Sequence, residues 1–250
     1  PVLACRTEIA RDAAVILPDR EEIQSAVGCP DSGRLTESVC LCLDIGTTTL
    51  ALALVSLDER TLIRTVTAPN PQRVFGADVI SRIDRCRKKG PREQQTLLLE
   101  QIRSMVSDLL SEFGLQKIDT MYVAGNTAML HLFFGVDCSP LGVAPYTPVF
   151  LESRTESGKI LGLPAVNTVT ALPGIAPFAG ADLVAGMEYV GLPPVGKYRL
   201  LLDLGTNAEL ALFNREKILC TSAAAGPCFE GVNVSCGMSA SPGAVFSVES

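Results

Sequence analysis

The chain reads as an α/β protein made of two similar halves, each a mixed β-sheet with flanking helices, arranged around a cleft. Two observations predict this. First, Cys40–Leu54 (CLCLDIGTTTLALAL) and Leu200–Phe213 (LLLDLGTNAELALF) repeat one pattern: an apolar run, an acid, a glycine, a threonine and a second apolar run. Asp203, Gly205 and Thr206 recur in the register of Asp44, Gly46 and Thr47, and an internal repeat of this kind signals a duplicated unit. Second, the stretch between the copies alternates short apolar runs with segments of helical period, the pattern of α/β folds.

Each repeat is two β-like runs joined through Gly and small hydroxyls, which predicts a hairpin. The turn sets an acid beside backbone N–H groups and hydroxyls that no sheet partner needs. Such donors hold phosphate oxygens, and a carboxylate holds a hydrated Mg²⁺. A single D-x-G-T is equally well a plain turn. Two copies that share acid, glycine and threonine favour a pair of loops gripping one polyphosphate.

Composition narrows the class. The 250 residues are 47% hydrophobic and 19% charged, enough for one large domain or two ordinary ones. Each apolar run is interrupted short of the ~18–20 residues that span a bilayer, so no membrane partner is expected. The start, PVLACRTEIARDAAV, carries charges where a signal peptide has its apolar centre, which points to a cytoplasmic protein. A net charge of −6 argues against a broad nucleic-acid surface. The basic run Arg82–Arg92 suits a helix C-terminus, where cations complement the dipole; a docking patch for an acidic partner is the other reading. The cysteines (Cys5, Cys29, Cys40, Cys42, Cys86, Cys138, Cys220, Cys228 and Cys236) include no C-x-x-C, and their scatter predicts reduced thiols. A cluster ligated across a subunit interface stays open.

In chain order, residues 1–38 read as a connecting segment, 39–195 as the first half and 196–250 as the start of the second, incomplete half. After the first hairpin come a strand over Leu62–Thr67, a polar loop turning at Asn70-Pro71, and a helix over Asp78–Lys88. A longer helix runs from Pro91 through Phe113, with Leu98, Ile102, Met105, Leu109 and Phe113 as its buried stripe and Gly114 closing it. A strand over Ile118–Ala124 then enters Gly125-Asn126-Thr127 and a short apolar helix, Ala128–Phe134. Strand, glycine, polar pair and helix aim an amide at a ligand, which nominates Asn126; a helix N-cap explains the same residues. His131, the single histidine, is expected to be a hydrogen-bonded packing residue. Pro140–Pro148 is a crossover, Glu152–Lys159 a polar loop, and Val166–Leu172 a strand. A Gly-rich turn follows, then a helix near Ala181–Tyr189, the second hairpin, a strand over Ile218–Cys220 and a Gly- and Ala-rich loop through Gly226.

D-x-G-T at two hairpins, with G-N-T between them, resembles the superfamily of acetate and sugar kinases, heat-shock chaperone ATPases and actin, the ASKHA proteins with an actin-like, ribonuclease H-like fold. NPQRVFGADVISRI, VAGNTAMLHLFFG, LDLGTNAEL and AAGPCFEGVNVSCGM narrow this to a resemblance to the reductive activators of corrinoid proteins, ATP-dependent iron–sulfur proteins of anaerobes. The resemblance implies ATP-driven return of Co(II) to Co(I) in a corrinoid protein partner, with a homodimer possible in the family. By position it makes Asp44 and Asp203 catalytic and Mg²⁺-holding, through water, and Asn126 a residue of the cleft. It assigns the phosphates and nucleotide to Gly46, Thr47, Thr48, Thr49, Gly125, Thr127, Gly205, Thr206, Asn207 and Gly226.

LACRTEIARDAAVILP resembles the family's join to an N-terminal 2Fe-2S ferredoxin-like domain, so that cluster is expected outside this chain. The superfamily's adenosine-binding segment normally lies well beyond the second hairpin, so a fragment is expected. Two other functions compete: a small-molecule kinase, for which Asp78 is the candidate base, and a nucleotide-dependent assembly module without catalysis.

Overall fold

The computed structural model describes residues 35–205 and 207–224. Six strands form the first sheet: β1 (Val39–Ile45), β2 (Thr49–Ser56), β3 (Thr61–Pro69), β4 (Ile118–Gly125), β5 (Arg154–Ser157) and β6 (Val166–Ala171). Their order is β3-β2-β1-β4-β6-β5. β1, β4 and β6 run parallel in the middle, while β2 and β3 on one side and β5 on the other are antiparallel. The sheet is therefore mixed. The duplicated-hairpin reading accounts for its start, since β1 and β2 pair from Val39↔Ser56 to Ile45↔Leu50.

Alternation puts Leu41, Leu43 and Ile45 of β1 and Leu50, Leu52 and Leu54 of β2 in the core, nearly or fully inaccessible. Two helices, α1 (Val79–Lys89) and α2 (Arg92–Glu112), cover this layer. α2 buries Leu98, Ile102, Met105 and Leu109, four of the stripe residues read from the sequence, while Phe113 packs at its C-cap. A short helix α3 (Thr127–Phe133) follows β4 directly and is buried throughout.

A second, antiparallel sheet holds β7 (Arg199–Leu204), β8 (Asn207–Phe213) and β9 (Ile218–Ala224) in sequence order. Helix α4 (Ala181–Val190) connects the sheets, touching β4 of the first and β7 and β8 of the second. Leu183 and Met187 of α4 form a small core with Ala179, Ala211 and Phe213. On β7, Leu200, Leu202 and Leu204 are exposed.

Several local readings change. The polar loop Glu152–Lys159 contains strand β5, whose short polar sequence RTES carries no apolar alternation because it is an edge strand. The turn at Asn70-Pro71 opens a 3-10 helix, Pro71–Phe75, capped by the Asn70 side chain. The last strand extends four residues beyond Cys220, to Ala224. Within the basic run, Arg87, Lys88 and Lys89 occupy the last turn of α1 as expected, but Arg82 does not belong with them: it is 0% exposed. Cys40, Cys42, Cys86, Cys138 and Cys220 are free thiols. Residues 1–34 of the connecting segment, Thr206, and the Gly- and Ala-rich stretch from 225, with Gly226, lie outside the described residues.

Candidate functional site

The parallel strands β1, β4 and β6 end on the same edge of the sheet, the usual place for a ligand in α/β sheets. Ile45 of β1 pairs with Gly125 of β4, so the loop 46–48 and the Asn126 junction leave the sheet side by side. Glycine is required at both exits. A Cβ on Gly46 would lie 2.5 Å from the Thr49 carbonyl oxygen. On Gly125, at φ +155°, it would lie 2.9 Å from the Ile45 carbonyl oxygen.

Asn126 caps α3 and touches the first loop at once. Its Oδ1 accepts the Met129 N–H at 3.0 Å and its Nδ2 donates to Thr47 Oγ1 at 3.2 Å. The cap and the cleft readings of this residue therefore coincide in one side chain. Thr47 is 8% exposed, whereas Thr48 and Thr49 are exposed. The Thr127 hydroxyl, also buried, donates to the Ala176 carbonyl at 2.9 Å and ties α3 to the segment before α4. In the second hairpin the Gly205 N–H bonds the Asn207 carbonyl at 3.0 Å, closing a tight turn after Asp203.

Asp44 and Asp203 are near enough for the charge of Asp203 to act on Asp44. Asp44 keeps an exposed side, yet desolvation and then the charges of Asp182 and Asp203 push its carboxyl up to about 7. Burial also raises Asp203. Two further acids join them. Asp182, in the first turn of α4, is pushed up to about 6, by burial and by Asp203 against a favourable backbone bond from Leu183. Glu209 lies across the ladder from Asp203, is 6% exposed, and has an Oε2 without a hydrogen-bond partner. Burial, then Asp182 and Asp203, push it up to about 8.

Neither Asp182 nor Glu209 is a candidate in the sequence reading. Asp182 had a signal, an acid in the first turn of an apolar helix just after a Gly-rich turn. So had Glu209: with three residues between Leu204 and Ala208, its strand position falls opposite Asp203. Gly180 is the third omission. A Cβ there would lie 2.5 Å from Asn126 Cα, 2.6 Å from the Gly125 oxygen and 2.8 Å from Asp182 Oδ1, so α4 starts hard against the first loop's neighbour.

Asp78, the base of the kinase alternative, is an exposed N-cap of α1. Its Oδ1 accepts the Ser81 N–H at 2.8 Å and its Oδ2 the Ser81 hydroxyl at 3.0 Å. His131 packs as expected: Nδ1 bonds the Thr127 carbonyl at 2.7 Å, Nε2 accepts the Val149 N–H at 3.0 Å, and the ring stacks on Phe150.

A mixed six-stranded sheet that opens with an acid-tipped hairpin, followed by a second hairpin sheet, is the actin-like fold of the ASKHA class. Residues 39–194 match the family described as RACo middle region, and residues 197–250 the one described as the C-terminal domain of RACo, the ASKHA domain. The chain belongs to the RACo family. It is 33% identical over 213 residues to the corrinoid activation enzyme RamQ of Eubacterium limosum, covering 82% of this chain and 35% of that protein. It is 29% identical over 230 residues to a Co(II) methylated amine-specific corrinoid protein reductase of Methanosarcina barkeri, covering 84% and 40%. A solved structure titled reductive activator for corrinoid, iron–sulfur protein superposes with a TM-score of 0.74 at 33% identity, covering 83% of this chain and 34% of the other. The chain thus spans about a third of the length of RamQ and of the solved structure. Among the described residues no helix is long and apolar enough to cross a membrane.

Proposed function

We propose that this chain is the ATP-binding, ATP-hydrolysing and partner-docking part of an activator that returns a corrinoid protein's cobalt from Co(II) to Co(I). The observation that supports the reading is the mutual electrostatic influence of Asp44 on β1, Asp182 on α4 and Asp203 on β7. Carboxylates that act on one another in this way would suit a divalent cation. Among the described residues no three His, Cys, Asp or Glu side chains form a metal cage by themselves, so the reading requires a Mg²⁺ held largely by water and phosphates. Asp44 and Asp203 would orient its waters; when bound, the ion neutralises phosphate charge. The loop 46–49 supplies N–H and hydroxyl donors on one side, and Gly205 with Asn207 supply them on the other. Asp182 stands between the two hairpins, where a carboxylate can orient an attacking water.

A cleft contacted from both sides only when closed couples binding to shape. Turning a 1:99 preference into 99:1 takes about 5.5 kcal/mol of differential affinity. Polyphosphate contacts made by both hairpins are the natural source. The test uses the full-length protein with Asp44→Ala or Asp203→Ala. Both variants should stay folded and lose ATP-dependent reduction of Co(II) corrinoid, followed by its absorption spectrum. Wild-type ATPase activity in both variants would sink the site.

A further inference from the structure

Behind the first hairpin turn lies a sealed polar cluster that the proposed chemistry does not use. Arg82 is fully buried, a rare state for arginine unless it is paired. Its hydrogen-bond partners are neutral. Nε donates to the Gly76 carbonyl at 3.1 Å, Nη1 reaches Gln72 Oε1 at 3.5 Å and Met129 Sδ at 3.2 Å, and Nη2 donates to the Thr47 carbonyl. Gln94 and Gln72, both 0% exposed, brace it: Gln94 Nε2 donates to the Arg82 carbonyl at 3.0 Å, and Gln72 Nε2 to the Gln94 carbonyl at 3.2 Å. Asn70 completes the cluster. Its Nδ2 donates to the Gly46 carbonyl at 2.8 Å and its backbone N–H to the Thr48 carbonyl at 2.8 Å.

Three consecutive carbonyls, those of Gly46, Thr47 and Thr48, are therefore each held by a protein donor. Asn70 and Arg82 both contact the Met129 sulfur, so the anchors come from one side of the loop. In a trans peptide the C=O and the following N–H point in opposite directions across one plane. Pulling these carbonyls into the cluster turns the N–H groups of Thr47, Thr48 and Thr49 away from it. A guanidinium on the Thr47 carbonyl also polarises that peptide, which makes the Thr48 N–H a stronger donor.

We infer that Arg82, together with Asn70, is the positioning element that pre-sets the first loop as a polyphosphate receptor, acting through the Gly46, Thr47 and Thr48 carbonyls rather than by touching the ligand. The inference rests on the nucleotide reading above. It extends that reading from the residues facing the cleft to a buried clamp behind them. A preformed loop does not have to be ordered on binding, so losing the clamp weakens the grip on phosphates in the ground state and the transition state alike.

The test compares Arg82→Met, Arg82→Lys and Asn70→Ser with wild type in the full-length protein. Ligand-free thermal melts, calorimetric titration with Mg·ATP and with magnesium tripolyphosphate, and steady-state ATPase kinetics are the readouts. Folded Arg82→Met and Asn70→Ser should bind both ligands about tenfold to a hundredfold more weakly, the scale of a lost charge-assisted hydrogen bond. KM for ATP should rise in parallel with kcat held within about twofold, and Arg82→Lys should recover part of the loss. A folded Arg82→Met or Asn70→Ser that binds tripolyphosphate within about twofold of wild type would overturn the inference. So would failure of all three variants to fold, which would make the cluster a part of the core and nothing more. Wild-type protein that binds neither ATP nor tripolyphosphate would instead remove the nucleotide reading itself, and the clamp with it.

Discussion

Replacing Gly180 by alanine tests how α4 is seated on the end of β4. The new methyl would sit 2.5 Å from Asn126 Cα and 2.6 Å from the Gly125 carbonyl oxygen. Carbon atoms at rest keep about 3.5–4.0 Å, so relief needs a shift of roughly 1 Å. Both obstacles are backbone, at a junction fixed by the Asn126 cap and the Thr127 bond to Ala176. The third neighbour, Asp182 Oδ1 at 2.8 Å, belongs to the first turn of α4 and would be driven aside. Overpacking of this kind costs about 1–3 kcal/mol. With a urea slope near 2 kcal/mol/M, the unfolding midpoint should fall by about 0.5–1.5 M. Mg·ATP affinity should fall with it, because Asp182 moves relative to Asp44. Urea titration and calorimetry on one preparation check both. A Gly180→Ala protein with an unchanged midpoint would refute the close approach of α4, and one with wild-type affinity would refute the role given to Asp182.

Glu209 is raised from its ordinary 4.5 to about 8, so its contribution is complete at acid pH and disappears as pH climbs through 8. At about 1.4 kcal/mol per pH unit between 4.5 and 8, this loss is on the order of 5 kcal/mol. Without nucleotide or divalent cation the protein should melt at lower temperature at pH 9 than at pH 6, and Glu209→Gln should remove much of that slope; an equally steep slope would contradict it. His131 moves the other way: burial lowers its pKa, so its contribution is present above its ordinary 6.5 and declines below it. His131→Phe removes the ring's bond to the Thr127 carbonyl and leaves the Val149 N–H without its side-chain acceptor, costing about 1–3 kcal/mol at pH 7.5. It should also flatten the stability profile between pH 6.5 and 5, which melts across that range would measure.

Much of the architecture is legible because its signals are local. Alternation in β1 and β2, the stripe of α2 and the repeated acid, glycine and threonine need no tertiary knowledge. What escapes is set by tertiary placement. Arg82 stands in RIDRCRKKGPR, where its neighbours face water, and nothing in that run marks one arginine as a buried anchor for a carbonyl 35 residues away. Asp182 and Glu209 gain meaning only once α4 and β8 bring them within range of Asp203. Asp44 and Asp203 carry their signal in the repeat and Asn126 in the G-N-T joint, and whether ATP meets the two aspartates is what the alanine variants test. β5 hid because an edge strand of four polar residues looks like the loop around it.

Helix α4 touches both sheets and begins at the end of β4. Ten residues make a rod about 15 Å long. Its first turn is seated against Gly125 and Asn126 while Leu183 and Met187 pack on the second sheet. A rigid tilt of about 5° about that seated end would move the far end by about 1.3 Å and leave Asp182 almost in place.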